Sequence, residues 1–192
     1  MPRSTPSQQS PLLFAAFAYA VVCIVALLVL PHLGGPLRAY RAGSAGAVLL
    51  GPEPLLGVLW GLGGGVLLAG LSQAIAHWTA WGRRLARLLA RLVQPLHAGD
   101  ALLLAFLSGF GEELVFRGIA LPYLGLAASA LLFGLAHIIP RHGLWPWALW
   151  AAVAGTGLGW LGLVTGGLLG PILAHVTVNA FGLILLSRER TA

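Results

Sequence analysis

Three short clusters of polar side chains interrupt an otherwise apolar chain. The first is Glu112-Glu113-x-x-x-Arg117, the second Phe133-x-x-x-His137 and the third His175-x-x-x-Asn179. Glu113 and Arg117 are four residues apart, so on a helix they share a face and can pair. Glu112 is rotated by about 100° from Glu113 and must face something else. His175 and Asn179 are also four apart and point from one helical face. Carboxylate, two imidazoles and a carboxamide make up a hydrolytic inventory. A base can take a proton from water, and hydrogen-bond donors can receive the developing oxyanion.

The surroundings sharpen this reading. The chain has 192 residues, of which 58% are hydrophobic and only 8% charged. A soluble domain usually carries about 25% charged residues. Disorder is excluded by the high hydrophobicity, and a disulfide scaffold by the single cysteine, Cys23. An integral membrane protein remains. In that setting a charge near mid-bilayer costs about 2.5–3.5 kcal/mol on insertion scales, so adjacent glutamates within a span require a function or a partner.

Spans of about 20 apolar residues place the clusters. The expected spans are Leu12–Leu30, Leu55–Ala76, Asp100 to about Pro122, Leu124–Ile139, Leu144–Val164 and Leu168–Leu186. The first is longer than a signal-peptide core and reads as a retained helix. Gly57, Gly61 and Gly65 lie four apart in the second span, a spacing that lets helices approach closely in lipid. Residues 82–94 differ. Arg84, Arg87 and Arg91 fall on one face and Leu85, Leu88, Leu89 and Leu92 on the other, which predicts an amphipathic helix lying in the interface. The expected fold is therefore all-α, a polytopic membrane bundle of about six transmembrane helices plus one interfacial helix. Residues 1–99 hold the first two spans and the interfacial helix, 100–187 a catalytic core of about four spans, and 188–192 a short cytoplasmic tail.

The net charge of +6 comes entirely from arginine on the basic side, with no lysine. These arginines sit between apolar runs, which argues for topology signals and lipid headgroup contacts and against nucleic acid. Arg3, Arg83, Arg84, Arg87, Arg91, Arg141, Arg188 and Arg190 fall on one side of the expected topology, and Arg38 and Arg41 on the other. The excess places both termini in the cytoplasm.

The order and internal spacing of the three clusters resemble the three-motif signature of the CPBP family. That family comprises CAAX-prenyl endopeptidases and related bacterial Abi-type intramembrane proteases. The resemblance covers about 100–186, and the first two spans match nothing specific. It implies an integral protein of the bacterial plasma membrane that cleaves a membrane- or lipid-anchored protein or a peptide precursor. By position, Glu112 would activate water, and His137 would help hold it. Glu113 and Arg117 would support the site. His175 and Asn179 would stabilise the oxyanion. The chain has fewer spans than prenyl-endopeptidase members generally have, so the resemblance does not extend to whether the substrate is prenylated.

A metal-free site is expected. The alternative is zinc held by Glu112, His137 and His175, with one open position. No His-Glu-x-x-His is present, asparagine is a poor zinc ligand, and no carboxylate stands out in the sequence as the outer partner of either histidine. Two other function classes fit a membrane bundle: a non-enzymatic immunity or scaffold protein of the same fold, and a proton-coupled transporter. The complete motif set argues against the first, and the lack of an internal repeat against the second.

Overall fold

The computed structural model describes residues 6–188, so Arg3, Glu189 and Arg190 of the expected terminal segments lie outside the described residues. Every regular element among the described residues is a helix. The helices are α1 (Pro6–Val29), α2 (Gly34–Ala39), α3 (Ala45–Leu50), α4 (Pro54–Trp78), α5 (Ala80–Val93), α6 (Ala98–Glu113), α7 (Leu121–Ala136), α8 (Trp145–Thr165) and α9 (Leu169–Arg188). A single 3₁₀ turn, Leu30–His32, follows α1, and a π-helical segment, Leu114–Ala120, joins α6 to α7. The short helices α2 and α3 have no counterpart among the expected elements.

Five helical stretches among the described residues are long and apolar enough to cross a membrane, where about six were expected. The difference lies in one place. The expected third and fourth spans form one helical stretch, Ala98–Ala136, with no loop between them. It does not run straight. Gly125 has φ 79° and ψ 172°, a backbone state that side chains other than glycine's disfavour. Phe116 meets both Ser129 and Phe133, and Glu112 lies opposite His137. The stretch therefore folds back on itself at Gly125. The limb before the turn is about 40 Å long, enough for the hydrocarbon core. The limb after it, at about 16 Å, is about half that depth.

Contacts fix the remaining directions. Gly57, Gly61 and Gly65 of α4 lie along Leu169–Thr177 of α9 in the same order, so these two helices run parallel. A Cβ on Gly61 would stand 2.6 Å from the Gly170 carbonyl, so the four-residue glycine spacing does set this close seam. Ser108 and Glu113 of α6 meet Asn179 and His175 of α9 in reverse order, so that pair is antiparallel. α1 runs parallel to α6, with Cys23 beside Gly111 and Leu30 beside Gly118. It follows that both ends of the described chain lie on the face that carries α5. The Gly125 turn, α2 and α3 lie on the other.

α5 begins after Thr79, whose side chain accepts a hydrogen bond from the Gly82 N–H at 3.0 Å. Leu85 and Ala90 are buried, while Arg83, Arg84, Arg87 and Arg91 are exposed. This is the amphipathic division the arginine and leucine spacing predicts.

Candidate active site

The turn at Gly125 brings the motifs together. Glu112 lies 13 residues before that glycine and His137 lies 12 after it, so the two limbs return to the same depth. His137 caps the C-terminus of α7. The expected continuation of this span to Ile139 is not seen: α7 ends at Ala136, at the level of Glu112.

The two histidines are held alike. His137 Nδ1 lies 2.7 Å from the Phe133 carbonyl. A carbonyl only accepts, so this nitrogen carries hydrogen and Nε2 is left to face the site. His175 Nδ1 lies 2.7 Å from Glu113 Oε1, which orients it in the same sense. Both Nε2 atoms then face Glu112 Oε2, at 3.6 Å for His137 and 3.9 Å for His175. These separations are too long for direct hydrogen bonds. Glu112 Oε2 is buried and has no hydrogen-bond partner among the described residues.

Glu113 and Arg117 form the floor. Their side chains are fully enclosed, with exposures of 0% and 1%. Arg117 Nη1 donates to Glu113 Oε1 at 2.8 Å, the i,i+4 pair the spacing predicts. Arg117 Nη2 donates to the Gly155 carbonyl of α8 at 2.8 Å, and the guanidinium carbon stands 4.4 Å over the Phe133 ring. The Tyr40 hydroxyl donates to the Arg117 carbonyl at 2.8 Å. The π-helical segment holds Arg117 and begins directly after Glu113. Such widened turns recur at functional sites.

Asn179 lies one turn beyond His175. Its Nδ2 donates to Ser108 Oγ at 3.0 Å, leaving one amide hydrogen unassigned. Glu112, His137, His175, Asn179 and Ser108 all line a cavity of about 680 Å³ that extends to α5. Its wall towards the basic face includes Trp81, Arg83, Arg87 and Leu89.

Three contacts differ from the sequence reading. Glu113 is the carboxylate partner of His175, although no such partner stood out in the sequence. Glu112 has a partner too: the Tyr19 hydroxyl donates to its Oε1 at 2.7 Å. Ser108 partners Asn179. Tyr19 sits in the span that matches nothing specific. Its only visible signal was a polar atom within an apolar run.

The zinc alternative can be tested on spacing. Bonds of about 2.0–2.1 Å in a tetrahedral site place neighbouring donors ~3.4 Å apart. The gaps from Glu112 Oε2 to the two histidines are wider, at 3.6 and 3.9 Å. Among the described residues, no three His, Cys, Asp or Glu side chains are grouped so as to hold a metal ion. The donors, two imidazoles and a carboxylate, are chemically suitable for zinc, and a small side-chain rotation separates these gaps from that spacing.

Comparison with known proteins agrees with the motif order. The family model described as Type II CAAX prenyl endopeptidase Rce1-like matches residues 94–181. Neither the curated proteins nor the solved structures gave a match. The matched residues include all six polar motif side chains, from Glu112 to Asn179. Over residues 94–181 the chain is thus similar to the Rce1-like group of type II CAAX prenyl endopeptidases.

Proposed function

We propose that this protein is an intramembrane endopeptidase that hydrolyses a peptide bond with water activated by Glu112. Its substrate is a membrane- or lipid-anchored protein, or a peptide precursor. The observation that carries the reading is the convergence of two Nε2 atoms on one buried, unpartnered glutamate oxygen.

A water between Glu112 Oε2 and His137 Nε2 would be held by two acceptors, with an oxygen lone pair left for attack. As its oxygen bonds to the scissile carbonyl carbon, its proton passes to Glu112. The carbonyl oxygen becomes an oxyanion. Asn179 can donate its second amide hydrogen to it with no change of protonation. His175, oriented by Glu113 at Nδ1, presents Nε2 to the same space. When the C–N bond breaks, Glu112 returns the proton to the leaving amine. No metal is needed at any step.

The cavity leads from this cluster to the arginine-rich face. By the positive-inside rule that face is cytoplasmic, as are both termini. Cleavage then falls near the cytoplasmic surface of the membrane.

The test is a comparison of membrane-protein C-termini in cells carrying either wild type or Glu112→Gln. A set of C-termini shortened only with the wild type is expected. Identical sets in the two strains would remove the protease reading and leave a non-enzymatic membrane protein.

A further inference from the structure

We infer that Tyr19, on the first helix and outside the matched residues, is a positioning residue for the glutamate. This deepens the proposed function and rests on Glu112 being the base.

The two oxygens of Glu112 have separate surroundings. Oε1 accepts from the Tyr19 hydroxyl at 2.7 Å. Oε2 faces His137 and His175 and accepts from none of the described side chains. A glutamate side chain has several rotatable bonds and a symmetric head. Tying one oxygen fixes the head and aims the other at the histidines. The short charge-assisted bond is of the strong type.

The backbone is arranged for this contact. Gly111 precedes Glu112, and a Cβ there would stand 3.0 Å from Cys23 Sγ and 3.5 Å from Val22. The absence of a side chain lets α1 lie against α6 at this level. Cys23 Sγ also contacts the Leu107 carbonyl at 3.6 Å, in the same seam. Tyr19, one turn before Cys23, thereby reaches across to the carboxylate. The residues matching the family supply the base, and a helix beyond them supplies its orientation.

A merely structural reading is that a half-buried phenol needs an acceptor and Glu112 is the nearest one. The two readings separate in a kinetic and spectroscopic test on the full-length protein in lipid nanodiscs. The variants are Tyr19→Phe, which removes one oxygen, and Cys23→Ala, which loosens the same seam without touching Glu112. Turnover is measured on internally quenched peptides copied from the C-termini that the Glu112→Gln comparison identifies, with a farnesylated peptide as the starting probe. Tyr19→Phe is expected to lower kcat about ten- to a hundredfold, the effect of losing a hydrogen bond to a charged group, with KM unchanged. Cys23→Ala removes one buried sulfur and leaves the Tyr19 hydroxyl in place, so turnover should stay within about twofold of wild type.

Infrared difference spectra of protein labelled with ¹³C-glutamate provide a readout that needs no substrate. Tyr19→Phe should shift a glutamate carboxylate band, and that shift should vanish in a Glu112→Gln background. An unchanged kcat, an equal loss in Cys23→Ala, or an unmoved carboxylate band would overturn the inference. If wild type turns over none of the peptides while the band still shifts, the protease reading fails and the Tyr19–Glu112 contact stands.

Discussion

At the scale of single residues, side chains of the same type stand in different surroundings. Glu112 and Glu113 are adjacent, yet one is open to a cavity and the other fully enclosed beneath it. Glu112→Gln and His137→Ala are each expected to abolish cleavage while the protein still accumulates in membranes. Immunoblots of membrane fractions beside the activity assay check both halves of this expectation. Gln at 112 can still accept from Tyr19, so little folding cost is expected. In the proposed mechanism Asn179 acts through its amide hydrogen. Asn179→Asp puts a carboxylate where the oxyanion forms and should be far worse than Asn179→Gln, in kcat rather than KM. An active Asn179→Asp would argue for a site that gains from an added ligand. The three motifs were legible in the sequence because each places carboxylate, imidazole or amide groups in an apolar run. Tyr19 and Ser108 were not, since a lone hydroxyl is unremarkable in a span. The His175–Glu113 contact links residues 62 apart and has no local signature.

At the scale of elements, two devices hold the site, and each can be broken separately. The first is the buried ion pair. Arg117→Ala leaves Glu113 enclosed without its cation, a loss of about 3–5 kcal/mol. It also removes the bond to Gly155 that ties the π-helical segment to α8. Its melting temperature in detergent should fall well below that of Glu112→Gln; equal values would contradict the assignment of Arg117 to the scaffold. The second device is the Gly125 turn. A Cβ there would meet nothing within 4 Å, so Gly125→Ala has space and its cost is conformational. A loss of about 1–3 kcal/mol is expected, the cost of a positive-φ extended backbone that is essentially confined to glycine, with reduced turnover as His137 moves off the level of Glu112. Thermal melts and turnover of that one variant check both effects. The sequence placed a break between Pro122 and Leu124, close to the actual turn. It did not reveal that the returning limb would be only half a span, because hydropathy reports burial in lipid and not chain direction.

At the scale of the whole molecule, the apolar composition dictates a membrane bundle, and the contacts orient its helices. α5 and the loop at Arg141 lie on one face, with Arg38 and Arg41 on the other. Among the described residues this keeps the arginine asymmetry that the sequence suggests. Gly43 and His142 are accessible, and Cys23 is buried. Cysteines introduced at these two sites should therefore report opposite sides of the membrane. Gly43→Cys should react with a membrane-impermeant maleimide in intact cells, and His142→Cys only after the membrane is opened. The reverse pattern would invert the orientation and move the cavity mouth outside the cell. Charge counting was enough to suggest the sidedness. The path of the cavity was not legible, since it depends on how α5 lies across the bundle ends.

The most direct measurement is the turnover of purified, reconstituted wild type and Glu112→Gln after exhaustive chelation, on peptides copied from the identified C-termini. Wild type should keep its rate without metal. Glu112→Gln should lose about 10²–10⁴-fold, the range that a general base supplies. Wild-type-like turnover by Glu112→Gln, or activity lost on chelation and restored by zinc, would contradict the assignment of Glu112 as the base that activates water.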